Sequence, residues 1–273
     1  VGGALDAAGE RVTFLVRPSA AEHIRANGIS ISGAMGTLSI PAPHLSTDLP
    51  SALADGRCDL VILAVKSFHT ATAIQALRSA GAQPLPVLCL QNGVDNETLL
   101  AEAFSAKNVI PGTVTTAVSS LHPGAVVVER ERGVGLAAGH PLSLQLLQAF
   151  SAAGFRTLLC PNARAMKWSK LLTNLLANAR THTPPGTTVT VSLDRPVPGR
   201  VRLRVADDGP GLPPGKAAAI FDRFYSERPV GEKFGTHSGL GLSISKQIIE
   251  AHGGKILATN RAEGGAHFEI WLP

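Results

Sequence analysis

The chain has 273 residues, a formal net charge of +5 and a pI of about 9.4, with 44% hydrophobic and 16% charged residues. That length supports two modest domains with separate cores. The basic balance does not mark a nucleic-acid binder: the nearest thing to a basic stripe, Arg200, Arg202 and Arg204, alternates with Val201, Leu203 and Val205, as the solvated face of a strand does.

Val1 opens directly on Gly2 and Gly3, with no signal peptide and no initiator Met, which suggests a fragment. Cys58, Cys89 and Cys160 are far apart and match no metal spacing, so they read as reduced core thiols in the cytoplasm. No apolar run approaches membrane-spanning length; Leu60–Val65 is only a buried strand. Arg11–Val16 (RVTFLV), Leu60–Val65 and Val87–Leu90 are predicted strands, and Thr70–Ala80 is a predicted helix between two of them. Strands that alternate with helices imply a parallel α/β sheet.

Four segments carry a resemblance: VTFLVRP, AVKSF around Lys66, LQNGVDN from Leu90 to Asn96, and MKWSKLLTN from Met166 to Asn174. In this order they resemble the ketopantoate reductases over roughly the first two-thirds of the chain. The resemblance implies a Rossmann-like fold, with Arg17 at a strand end where a cation favours the 2'-phosphate of NADPH. It implies that Asn92 meets the nicotinamide end and that Lys66 belongs to the same cofactor site. Lys170 becomes the general acid that protonates the oxygen during hydride delivery, with Asn174 and Asn178 holding the substrate. Taken alone, Arg17 is a solvated strand-end arginine and Lys170 a surface lysine. The family's first strand and its GxGxxG turn are missing: Val1–Gly9 aligns with the helix that follows them, and Gly2 and Gly3 only mimic the fingerprint's end. Because that strand is central in the doubly wound order, its loss is expected to open the sheet in the middle. The helical second domain of these reductases is also missing.

The pivot of the chain is a predicted helix from Lys170 to His182, with Leu171, Leu172, Leu175 and Leu176 at helical spacing. Asn174 and Asn178, four apart, project together beside that face. Downstream, Thr187–Leu193 and Val201–Val205 read as a hairpin about Pro198 and Gly199. A helix from Leu240 to His252 stops at Gly253 and Gly254, and a last hairpin turns at Glu263–Gly265.

Four ordered boxes, NLLANARTHTPPG, ADDGPGL, IFDRFY and HSGLGLSISKQIIEAHGG, make residues 174–273 resemble the ATP-binding domain of sensor histidine kinases, a mixed-sheet α/β sandwich of the Bergerat type. The resemblance implies that Asn178 ligates Mg2+ with Asn174 in support. Asp207 accepts from the adenine amino group, Gly209 and Gly211 let the backbone pass the ring, and His182 lies against adenine. Gly239, Leu240 and Gly241 open a helix towards phosphate oxygens. Residues 226–237 form a lid anchored by Phe221 and Phe224. His237 and Thr181 depart from the family pattern and weaken the site without removing it. Without the other boxes, Asp207 and its glycines would be a simple turn, and His252 a helix end.

The expected organisation is therefore a truncated NADPH-type domain over 1–165, a shared junction helix over 166–182 and an ATP-binding domain over 183–273. The leading reading is the ATP-binding catalytic domain of a sensor histidine kinase, with ATP and Mg2+ as cofactors and without its own acceptor histidine. Its partners would be a histidine-bearing dimerisation domain and a response regulator in trans. The alternatives are an NADPH-dependent ketopantoate-reductase-like oxidoreductase and a non-functional fusion of the two.

Overall fold

The computed structural model describes residues 1–54, 57–81, 85–93, 96–130, 133–222, 225, 241–251 and 253–273. It divides into two compact units, Val1–Met166 and Lys167–Pro273.

The first unit begins with helix α1 (Gly2–Ala7), which buries Gly3, Ala4 and Leu5. Strand β1 (Thr13–Leu15) leads into α2 (Pro18–Asn27). Pro18 suits the first turn, where a missing N–H costs nothing, and Gly28 ends the helix at φ 72, a conformation in which a side chain would be strained. Three strands follow, β2 (Ile29–Gly33), β3 (Leu38–Ile40) and β4 (His44–Ser46), then α3 (Leu49–Leu53), where Asp48 caps the helix by accepting from the Ser51 amide at 2.8 Å. Next come β5 (Val61–Leu63), α4 (Thr70–Ser79), β6 (Val87–Cys89), α5 (Asn96–Phe104) and β7 (Val109–Val114). The unit closes through β8 (Ala117–His122), β9 (Ala125–Arg130), β10 (Val134–Ala137), α6 (Ser143–Ala152) and β11 (Thr157–Cys160).

Its main sheet runs β11-β10-β7-β6-β5, with β5, β6 and β7 mutually parallel, β10 antiparallel to β7, and β11 parallel to β10. A second sheet runs β3-β2-β9-β8, and among the described residues β1 pairs with β4 alone, in parallel. The break expected in the middle of the sheet is thus present: among the described residues, β1 and β5 each end a sheet and no ladder joins them. Burial follows the pairing. All of β6 is buried, whereas Leu15 on β1 is 49% exposed. Val12 beside β1 and Leu60 and Ile62 beside and on β5 still pack on one apolar cluster built from Leu5, Leu88, Ile110 and Phe150. The strands around the break are shorter than their apolar runs. Arg11–Val16 contributes three residues, because only His44–Ser46 lies in register with it.

The unit boundary falls within α7 (Ala163–His182). The helix starts seven residues before Lys170, where Asn162 caps it: the Ala165 amide donates to the Asn162 Oδ1 at 3.1 Å. Leu171, Leu175 and Ala179 are buried, one per turn. The second unit continues with β12 (Val189–Val197), β13 (Arg200–Asp207), α8 (Gly241–Ala251), β14 (Lys255–Asn260) and β15 (Ala266–Leu272). The strand order is β12-β13-β15-β14, every pairing antiparallel. Val205, Ile256, Ala258, Phe268 and Ile270 are buried on one face of this sheet, and α8 contributes Ile248 and Ile249 to the core. Gly253 and Gly254 end α8, their amides bonding back to Glu250 and Ile249.

The other face of that sheet is more than a solvated surface. Arg202 Nε and Nη2 hold the Asp194 carboxylate at 3.0 and 2.8 Å, and Arg204 Nη2 donates to the same Asp194 Oδ2 at 2.9 Å. Arg202 also lies over the Trp271 ring, 5.1 Å from its centroid. Its guanidinium raises no burial problem, since cation, carboxylate and ring answer one another.

Candidate functional site

In the second unit, the end of β13 and the turn after it are fixed by an unusual density of bonds. Asp207 is 4% exposed, and its Oδ1 accepts from the Gly209 amide at 3.0 Å and the Ala266 amide at 3.1 Å. Its carbonyl accepts from Arg261 Nη1 at 2.9 Å. One carboxylate oxygen is therefore committed to the backbone, which orients the other. The glycines here are steric necessities. A Cβ at Gly209 would lie 2.6 Å from Thr183 Cγ2, and one at Gly265 (φ 90) would collide with the Asp207 carbonyl oxygen. Gly211 (φ 82) leaves room for Asn260, whose amide clamps Leu212: Oδ1 accepts from the Leu212 amide at 2.6 Å and Nδ2 donates to the Leu212 carbonyl at 2.9 Å.

Helix α7 reaches this turn through Thr183, whose hydroxyl donates to the Ala179 carbonyl at 2.7 Å while its methyl faces Gly209. One residue before Ala179, the Asn178 amide lies beside the start of α8: a Cβ on Gly241 would sit 3.9 Å from Asn178 Nδ2 and 4.0 Å from Oδ1. Asn174 and Asn178 are half-buried on α7, and His182 is exposed. Gly239 and Leu240 lie outside the described residues, as do Phe224, the 226–237 segment and His252. Phe221 is buried edge-on against Phe268, with Lys246 Nζ 5.9 Å from its ring centroid. The Asp207 turn thus meets the end of α7 at Thr183, and the Asn178 amide stands farther back on that helix beside the start of α8. No group of three or more His, Cys, Asp or Glu side chains gathers around a metal position among the described residues. A hard cation here would need oxygen donors from its ligand, which is how Mg2+ is usually held beside phosphates.

In the first unit, Lys66 and Asn92 leave the same sheet edge. Leu63 pairs in register with Cys89, and the two candidates stand three residues beyond each. Both are exposed, and Lys66 Nζ lies 5.9 Å from the Phe68 ring centroid. Beneath them a buried polar network ties the two loops together. Gln91 Nε2 donates to the Val65 carbonyl at 2.8 Å and to Thr70 Oγ1 at 2.9 Å, and Thr70 Oγ1 donates to Asn96 Oδ1 at 2.8 Å. Arg17 stands at the start of α2, two residues past the end of β1, and its carbonyl accepts from the Ala20 and Ala21 amides. Lys170 is half-buried on α7 and falls in the second unit. The residues that sequence did not single out are Gln91, Thr70 and Asn96 in one unit and Asn260, Arg261 and Gly265 in the other. Gln91 and Asn96 fall within the LQNGVDN segment and Gly265 within a Gly-Gly turn, whereas Thr70, Asn260 and Arg261 carried no site signal.

Comparison with known proteins follows the same division. The family described as ketopantoate reductase PanE/ApbA matches residues 1–139, and the family of histidine kinase-, DNA gyrase B-, and HSP90-like ATPases matches residues 164–273. A 2-dehydropantoate 2-reductase from Halobacterium salinarum is 34% identical over 231 residues, covering 76% of this chain and 71% of that protein. Sensor protein ChvG from Agrobacterium fabrum is 41% identical over 127 residues, covering 44% of this chain but only 21% of the sensor protein. The two alignments together exceed the length of the chain, so part of it is matched by both. Among solved structures, a PanE/ApbA family ketopantoate reductase from Ralstonia eutropha superposes with a TM-score of 0.56 at 30% identity, over 67% of this chain and 60% of that one.

Proposed function

This chain belongs to the ketopantoate reductase PanE/ApbA family and carries behind its reductase part an ATPase domain of the histidine kinase type, and from that premise we propose that its working site is the Mg-ATP pocket of the second unit. The observation that carries the reading is the fixed carboxylate of Asp207, one oxygen tied to two backbone amides, on a turn that contacts the end of the helix bearing Asn178. The remaining oxygen of Asp207 accepts the adenine amino group, which selects adenine over guanine. Gly209 and Gly211 leave the ring room, and His182 covers its outer side. Asn178 supplies a neutral oxygen to Mg2+, supported by Asn174, and Gly241, at the start of α8, meets the phosphates, a role that the sequence motif alone extends to Gly239 and Leu240.

The test is thermal and calorimetric. Mg-ATP raises the melting temperature of the chain, and Asp207→Asn reduces the shift without unfolding it, because asparagine retains an oxygen for the Gly209 and Ala266 amides. The lost charge-assisted bond corresponds to about 1.5–3 kcal/mol, or roughly ten- to a hundredfold in affinity. Equal affinity of the variant and the parent refutes the site.

Phosphoryl transfer needs an acceptor in line with the terminal phosphate. A histidine-bearing dimerisation domain supplied in trans provides it, and a response regulator receives the group afterwards. The helix over 166–182 serves both families' patterns and is the junction between them.

A second reading is favoured by one observation, the emergence of Lys66 and Asn92 from the same sheet edge over a shared polar network. In it Arg17, Lys66 and Asn92 hold NADPH and Lys170 protonates a 2-oxo acid. Oxidation of NADPH with ketopantoate tests it directly.

A further inference from the structure

Helix α2 and the β8-β9 hairpin meet at two imidazoles that belong to neither site. His23 Nε2 lies 2.9 Å from His122 Nδ1, the rings standing edge to face at a centroid distance of 4.8 Å. The carbonyl oxygen of Pro123 lies 3.2 Å from the same His122 Nδ1. Two ring nitrogens, one of them carrying the proton that the other accepts, and a carbonyl oxygen thus gather at one place.

The support is stiff. The Ser30 amide donates to the Gly124 carbonyl at 2.8 Å, and a Cβ on Gly124 would lie 2.6 Å from the Gly28 carbonyl oxygen, so hairpin and helix end are in backbone contact. Ile24, next to His23, is buried, and Ala125 pairs in register with Ser30. His122 itself is exposed and His23 half-buried, which leaves the outer side open to water.

We propose that His23 and His122 form a binding site for a divalent transition-metal ion, with the Pro123 carbonyl as third donor and water in the remaining positions. Two imidazole nitrogens bound at about 2.0–2.1 Å and separated as they are here subtend about 90° at the metal. That is the cis angle of a square-planar or octahedral ion, so the pair suits Ni2+ and Cu2+ better than tetrahedral Zn2+. Binding moves the shared proton, through solvent, to the other nitrogen of the same imidazole, so that both rings ligate as neutral imidazoles and the ion joins α2 to the hairpin. The open water positions make the ion exchangeable rather than a permanent structural centre.

The probe is Ni2+ alone, which avoids the oxidation of Cys58 and Cys160 that Cu2+ would bring. Calorimetric titration of the full chain is expected to show one equivalent, with affinity falling by at least about tenfold in His23→Ala and in His122→Ala, since even outer-shell changes at metal sites cost ten- to a hundredfold. His69→Ala, at an exposed histidine elsewhere, retains the parent affinity. Both site variants replace side chains with open faces. Circular dichroism of each, together with the conservative His23→Gln, separates loss of the site from loss of the fold. No saturable binding in the parent, or a folded His23→Ala/His122→Ala double variant that binds as the parent does, overturns the proposal.

Discussion

Asn260 and Leu212 hold one another through both members of a backbone amide pair, at 2.6 and 2.9 Å, and in doing so pin the glycine turn after Asp207 to the end of β14. Removing the clamp frees a turn that must stay still for a base to be read. Asn260→Ala is expected to lower Mg-ATP affinity by about tenfold while the chain melts within a few degrees of the parent, each neutral hydrogen bond being worth about 1 kcal/mol. Calorimetry and a melting curve on the same sample separate the two effects.

Gly265 is irreplaceable for a different reason. Its φ of 90 and the collision of any Cβ with the Asp207 carbonyl mean that Gly265→Ala must either distort β15 or push the Asp207 turn aside. A loss of about 1–3 kcal/mol in stability is expected, together with nucleotide binding, and a chemical denaturation curve measures it.

The outer face of the second sheet predicts an acid limb. The Asp194 carboxyl is held below its ordinary value, chiefly by the hydrogen bond from Arg202, which desolvation opposes in part and to which the charges of Arg202 and Arg204 add. A carboxylate depressed in the folded state contributes its stability above the unfolded value of about 3.9 and loses it as pH falls through the lower, folded value. Asp194→Asn should therefore flatten the pH dependence of unfolding below about pH 4 and leave its shape at neutral pH unaltered. Denaturation midpoints followed from pH 2 to 7 provide the check.

The divided sheet of the first unit makes a prediction about exchange. Amides of Thr13–Leu15 and Val61–Leu63 border the break, whereas Val87–Cys89 is paired on both sides and fully buried. Hydrogen exchange should be fast in the first two segments and slowest in the third, by two orders of magnitude or more if the break opens independently of global unfolding. Uniform protection across the three would contradict the separation of the sheets.

Much of this was legible from the chain. The helix bearing Asn174 and Asn178, the hairpin about Pro198 and Gly199, and the glycine end of α8 follow from periodicity and from residues whose conformational reach is narrow. The break between β1 and β5 followed from strand order, since a doubly wound sheet keeps its first strand in the middle. The polar clamps were hidden, because Asn260 sits 48 positions from Leu212 and Gln91 lies 26 from Val65. Nothing local distinguishes such an amide from one facing water. Arg202 and Arg204 illustrate the same limit: alternation gives the face on which they stand, and only the fold gives the acid that meets them.

The parted sheet also bears on how the molecule behaves when concentrated. Strand flanks without a ladder partner are templates for association between chains, and β1 offers one bearing an apolar Leu15 with no lysine or proline on it to discourage stacking. Precipitation on storage should start from the amino-terminal unit, and a charge placed at Leu15 should raise the solubility limit without touching the nucleotide pocket.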